Sequence, residues 1–353
     1  MKKSFFIIST SLLLIGCGDK LAPVAENAVQ PTVTTEQTPN DTDDPAIWVN
    51  PVQPEKSLIL GTDKEEKTGG LYAYNLQGEI VNKVYPMDRP NNVDVTYGFL
   101  LNGTATDIAV VTERMTNKVR IFSLPDLNPI DNGGLDVFEG EELRAPMGIA
   151  TYQNPANGKT YIIVGRKDGN SEEYLFQYEL MEKDGYITGK LVRKFGKYSG
   201  KKEIEAIAVD NELGYVYYSD ETAGVRKYYA DPDKGNTELA FFAQNDAKRD
   251  HEGIALYKKD AKTGYILVSD QQANNFLVYK REGESANPHE HKLIARIPVS
   301  TIECDGADAV NVNLGKGFEN GIFVAMSNGR VFQFYDWNII SEAIETFRVS
   351  ASE

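Results

Sequence analysis

Cysteine is almost absent, with only Cys17 and Cys304 in 353 residues, so no disulfide framework can carry the fold. Histidine is as scarce: His251, His289 and His291 with one spare thiol are a poor donor set for zinc. No Arg-His-Gly-x-Arg-x-Pro stretch occurs, and Cys304 is followed five residues later by Ala309, so neither a histidine nor a cysteine phosphatase loop is present. Basic blocks are missing too. The 52 acidic residues outnumber the 37 Lys and Arg, leaving a net charge of −15 and a pI near 4.8, which argues against nucleic acid as a partner. Such a surface also repels anionic substrates unless bound cations invert the local field.

Long apolar runs are confined to the start of the chain. Lys2 and Lys3 precede an apolar stretch from Phe5 to Ile15 that is too short to span a bilayer and reads as an export leader. It ends in Leu14-Ile15-Gly16-Cys17, which resembles a bacterial lipobox, so residues 1–17 are expected to be a lipoprotein signal with Cys17 as the acylated first residue of the mature chain. The expected protein is exported and anchored to the cell envelope through lipid alone. Gly18 after the cysteine favours the outer membrane if the cell is Gram-negative. Residues 18–40 are polar and rich in Pro, Thr and Ala, and read as a flexible tether. The domain then covers residues 41–353 and is expected to be a monomer.

What the remainder does contain is a repeat. Each unit opens with an acidic or small residue and a short alternating run, continues through an apolar strand ending near Gly, Ser or Asp, and closes on a strand ending in Tyr or Phe. His251–Tyr257, Gly264–Asp270 and Phe276–Tyr279 make one such set, and Glu205–Val209, Tyr215–Asp220 and Val225–Tyr228 another. The unit starts fall near residues 44, 92, 147, 205, 252 and 305. The unit is therefore roughly 50 residues, the length of a four-stranded propeller blade with its loops. One such sheet cannot bury both faces alone, whereas six in a ring can. The predicted fold is all-β, a six-bladed β-propeller. Trp337, Ile340, Ile344 and Phe347 are spaced 3, 4 and 3 apart and predict one short amphipathic helix, either outside the ring or closing it.

In a propeller the first strand of each blade lines the channel, and here those strands start acidic: Asp43, Asp44, Asp94, Glu205, Asp250, Glu252, Asp305 and Asp308. Loops after the second strands add Asp63, Asp168, Asp220, Glu221, Asp270 and Gln271. Carboxylates gathered from separate blades repel one another unless cations neutralise them. Hard oxygen donors suit Ca²⁺. Lys64, Lys67, Arg114, Arg166 and Lys167 could complete a phosphate-binding rim. His251 lies between Asp250 and Glu252, but alternation along a strand turns it to the opposite face.

The stretches Asp43-Asp44-Pro45-Ala46-Ile47-Trp48, Asn91-Asn92-Val93-Asp94, Asp250-His251-Glu252-Gly253 and Asp305-Gly306-Ala307-Asp308, with Gly321–Ala325, resemble the β-propeller phytases, and the resemblance runs from about residue 40 to 348. It implies a six-bladed propeller holding several Ca²⁺ ions, some structural and some assembled with substrate. It also implies hydrolysis of calcium-complexed phytate and lower inositol phosphates by a metal-bound water beside a phosphate-affinity site. Carried over residue by residue, Asp44, Asp94, Glu205, Glu221, Glu252, Gln271 and Asp305 would be metal ligands. Glu205, Glu221, Asp250, Glu252 and Asp305 would form the catalytic set, and Lys64, Asn92, Arg114 and Lys167 would hold substrate. Two departures stand out: Met147 occupies a position where the family often has Tyr, and Cys304 precedes Asp305 where a small or polar residue is usual. Two other readings remain open on the residues. One is a calcium-dependent propeller lactonase or esterase with a single metal on the axis. The other is a surface lipoprotein that only binds a partner or glycan.

Overall fold

Each of the six sequence units folds into a four-stranded antiparallel sheet in the computed structural model, which describes residues 21–350. The segment expected to be a leader, with Cys17, lies outside the described residues. Blade 1 uses Thr42–Trp48, Leu58–Asp63, Gly69–Tyr74 and Ile80–Met87 from axis to rim, and blade 2 uses Pro90–Leu101, Thr104–Glu113, Lys118–Ser123 and Leu135–Asp136. Blade 3 is Pro146–Gln153, Thr160–Arg166, Leu175–Lys183 and Tyr186–Phe195. Blade 4 is Ile207–Asp210, Tyr215–Asp220, Gly224–Tyr229 and Ala240–Phe242. Blade 5 is His251–Lys258, Gly264–Asp270, Asn275–Lys280 and Leu293–Pro298. Blade 6 takes Ala307–Val310, Ile322–Ser327 and Val331–Asp336 from the end of the chain and its outermost strand, Val33–Thr34, from the beginning.

The middle strands are apolar on both faces. Leu58–Asp63 and Gly69–Tyr74 are buried throughout, so a blade is stable only between two neighbours. The core accordingly divides into seams between blades. Leu60, Ala73, Val93 and Val111 fill the seam of blades 1 and 2, and Val110, Ile121, Ile162 and Val164 that of blades 2 and 3. Each fully buried aliphatic side chain contributes about 1.5–3 kcal/mol.

Ring closure differs from expectation. The segment read as a tether is docked from Ala22 onward: Ala22 N donates to Gln272 O at 2.8 Å, and Val29 N to Pro298 O at 2.8 Å. Val33 and Thr34 then pair with Phe334 and Gln333. The physical reason is the unpaired edge that three strands of blade 6 would otherwise expose. The helix Trp337–Thr346 forms where its spacing predicted, capped by Asp336. It lies outside the ring, with Trp337 stacked on Tyr257. A chain starting at Pro39 should therefore lose several strand hydrogen bonds at about 1 kcal/mol each and melt roughly 6 °C lower. An unchanged melting temperature would show that the first segment does not close the ring.

Two local devices aim side chains toward the channel mouth. First, the last residue of every second strand holds the loop that feeds the first strand of the same blade. Asp63 accepts from Asn40 N and Asp41 N, Glu113 from Asp88 N, Asp220 from Ser199 N and Asp270 from Lys248 N; Arg166 donates to Leu143 O, and Ser327 Oγ accepts from Ile302 N. Second, four first strands begin with a register shift, between Thr42 and Pro45, Pro90 and Val93, Pro146 and Ile149, and His251 and Ile254. A bulge turns adjacent side chains away from simple alternation.

Candidate active site

The bulge in blade 1 separates Asp43 from Asp44. Asp43 faces the mouth, where its carboxylate accepts from Lys64 Nζ at 2.7 Å and from Asn91 Nδ2 at 2.8 Å. Asp44 turns down the channel and accepts from Val93 N, the first strand of the next blade, at 3.1 Å. Asp94 takes Thr151 N at 2.7 Å and Asp308 takes Ile47 N at 2.9 Å in the same blade-to-blade manner. Burial pushes all three acids up, with Asp308 reaching about 7. Asp44 and Asp94 thus line the channel with Asn92 and lie apart from the close-set carboxylates of the mouth. Asn92 Oδ1 is buried there without a hydrogen bond.

The mouth gathers Asp43 from blade 1, Glu205 and Glu221 from blade 4, Asp250 and Glu252 from blade 5, and Asp305 from blade 6. Two tight groups form: Glu203, Glu205 and Glu221, and Glu221, Asp250 and Glu252, with one oxygen from each member within 4.8 Å of the others. Glu221 belongs to both. Glu205 reaches this position because Gly148 lets its backbone approach blade 3; a Cβ on Gly148 would lie 2.0 Å from Glu205 O. Glu205 accepts one hydrogen bond, from Asn91 Nδ2 at 3.2 Å. Asp305 is better held, by Lys64 Nζ at 2.6 Å and Gln271 Nε2 at 2.5 Å. Gln272 Nε2 bridges Gln271 Oε1 and Asp250 Oδ2.

These acids are desolvated, and like charges sit beside them. Burial, then the charge of Asp43, holds the Glu205 carboxyl well above its usual range, and burial with Glu221, Asp305 and Glu205 does the same to Glu252. Burial carries Glu221 to about 7 against the pull of Lys202, and Asp305 to about 6 against that of Lys64. Several oxygens have no hydrogen bond: Glu221 Oε1, Asp250 Oδ1 and Glu252 Oε2. Buried, close, all-oxygen and short of donors, this set fits a hard divalent cation. Calcium is the ion of that class the sequence suggested.

Basic side chains border the acids. Arg114 stands on the short turn Arg114–Thr116, half-buried, with its guanidinium against the Met147 sulfur. Met147, at a position where the resembled family often has Tyr, therefore packs against the Arg114 guanidinium. Burial lowers the Arg114 pKa, and Glu205 and Asp43 partly restore it. Lys167 is half-exposed and pairs with Glu203. Asp168 is exposed, and Asp63, Asp220 and Asp270 are occupied as loop anchors, so of the loop acids only Glu221 joins the mouth. His251 turns to the far face: its Nε2–H donates to Ala243 O at 2.7 Å, and burial lowers its pKa. Cys304 is a buried thiol whose backbone carbonyl accepts from Ser269 Oγ of blade 5 at 2.8 Å. Sequence reasoning missed Asn91, Glu203, Gln272 and above all Lys202, whose ammonium contacts Glu221, Asp250 and Glu252. The alternation Glu203-Ile204-Glu205, with Ile204 buried, was the available signal for Glu203.

The fold and the site together define a six-bladed propeller with a buried oxygen cluster and basic side chains at one mouth. The chain belongs to the Phytase family, whose model matches residues 12–346. It is also 30% identical over 326 residues to the 3-phytase of Bacillus subtilis (strain 168), an alignment covering 85% of this chain and 80% of that one.

Proposed function

We propose that this chain hydrolyses phosphate monoesters of phytate and lower inositol phosphates at the mouth, in a reaction that requires Ca²⁺. The observation that carries this reading is the convergence of Asp43, Glu205, Glu221, Asp250, Glu252 and Asp305 from four blades, with unpartnered buried oxygens, beside Lys64 and Arg114. Glu203, Glu205 and Glu221 would hold one ion and Glu221, Asp250 and Glu252 a second. When bound, calcium supplies positive charge toward the phosphate oxygens and polarises water.

The chain's own residues do the rest. Lys64 Nζ is fixed between Asp43 and Asp305 and presents one charge at the mouth. Arg114 offers a planar fork suited to phosphate oxygens, partly desolvated and therefore stronger. Lys167 reaches in from blade 3 through its contact with Glu203. Gln271 and Gln272 hold Asp305 and Asp250 in place. No protein nucleophile is required, in keeping with the lack of a phosphatase loop.

The test is release of inorganic phosphate from sodium phytate with added calcium, run beside hydrolysis of simple lactones and aryl esters. Phosphate release with inert lactones is expected. Lactone or ester turnover without phosphate release would assign the site to an esterase. Failure of every substrate would favour a binding protein.

A further inference from the structure

Lys202 lies on the short irregular segment that feeds the first strand of blade 4, and its amine sits inside the second carboxylate group. Nζ is 2.5 Å from Glu221 Oε2, 3.1 Å from Asp250 Oδ2 and 3.4 Å from Glu252 Oε1. Those three side chains are 0%, 4% and 2% exposed, while that of Lys202 is 38% exposed. The amine is therefore buried among acids at its tip, and its stem runs out to solvent.

A calcium ion bound by the same oxygens would stand 2.3–2.6 Å from them, in the space the ammonium holds. The two cations exclude each other sterically as well as by charge. Gln272, which also reaches Asp250, is neutral, and Arg249 Nε stands 3.7 Å from Asp250 Oδ1. Lys202 is the cation that contacts all three carboxylates of the group.

We propose that Lys202 is an internal counterion that occupies the position between Glu221, Asp250 and Glu252 and must withdraw to solvent before that position loads with calcium. This rests on the metal reading of the mouth. The device has two consequences. The carboxylate group stays neutralised and folded without metal, and its affinity for calcium is set by the work of expelling the amine. The displaced ammonium is left on the rim, on the side from which a polyanionic substrate arrives.

Lys201 provides the control. It is adjacent, exposed, and carries the same charge, but its Nζ donates to Thr222 O, at 3.3 Å, rather than to the carboxylate group. Calcium titration by calorimetry and thermal melts in EDTA are to be compared for the full chain, Lys202→Met and Lys201→Met. Lys202→Met should bind its tightest calcium about tenfold more strongly and melt several degrees lower in EDTA, with a normal melting temperature at saturating calcium. Lys201→Met should leave both readouts near wild type. Equal effects of the two variants would assign the change to the diffuse field and overturn the proposal, as would an unchanged melt of metal-free Lys202→Met. If calcium binds all three proteins with one affinity, the proposal fails while the metal reading stands. If none binds calcium, both fail.

Discussion

Chelation of divalent ions is expected to abolish phosphate release and to lower the melting temperature, by an amount that grows with pH. Without metal, Glu205 and Glu252 keep protons to well above the ordinary carboxyl range, Glu221 to about 7 and Asp305 to about 6. In the unfolded chain the same groups ionise near 4. Between about pH 4 and pH 7 the native state therefore binds more protons than the unfolded state, and stability falls as pH rises through that window. The penalty is absent below about pH 4 and is still growing at pH 7, where Glu221 is in the middle of its titration. Calcium takes the place of those protons, so its stabilisation should be small at pH 5 and large at pH 8. An ion at a thousandfold over its Kd contributes about 4 kcal/mol. For a domain of this size that raises the melting temperature by about 6 °C per site. Melts in EDTA and in calcium at pH 5 and pH 8, with phosphate assays at pH 8, check this. Coincident melts at pH 8, or undiminished phosphate release in excess EDTA, would remove the metal from both stability and mechanism.

The six blades were legible because a blade repeats one burial problem. Its middle strands are apolar on both faces, and unit starts near 44, 92, 147, 205, 252 and 305 mark where each new sheet begins at the axis. The helix Trp337–Thr346 was legible for the same reason, since its buried residues follow the helical period. The short strand Val33–Thr34 was not, because two residues carry no periodicity and their partner, Val331–Asp336, lies at the other end of the chain. Acidity at strand starts pointed to Glu205, Glu252 and Asp305, which the structure gathers at the mouth, but it could not sort mouth-facing acids from loop anchors. Asp63, Asp220 and Asp270 have the composition of metal ligands and spend it on loop backbone. Asp43 and Asp44 differ in sequence only by position. A bulge, invisible in the pattern, sends one to the mouth and the other to a backbone N–H in the channel. Lys202 was missed because it follows Lys197 and Lys201 in a polar stretch, where one more lysine reads as a surface charge.

Replacing Glu205 with Gln should reduce turnover on phytate by about 100-fold or more while raising the stability of the metal-free protein. The two effects have one cause. Glu205 is buried, has a single hydrogen bond from Asn91, and stands near Asp43, Asp305 and Glu221, so its ionised form is costly until a cation arrives. Glutamine keeps the shape and the Oε1 acceptor for Asn91 and removes the charge. Relief of that cost at pH 8 should raise the EDTA melt. In calcium the order should reverse, because the wild type gains an ion that the variant holds poorly. Asp305→Asn provides the contrast. Asp305 is paired with Lys64 at 2.6 Å, and neutralising it removes one of the two carboxylates that hold that ammonium, leaving Asp43 at 2.7 Å. That variant should lose both turnover and metal-free stability. Melts of both variants with and without calcium, beside phosphate assays, separate a carboxylate kept for a cation from one that also supports the fold. Near-normal turnover in Glu205→Gln, or a metal-free melt that falls as far as that of Asp305→Asn, would take Glu205 out of the reactive centre.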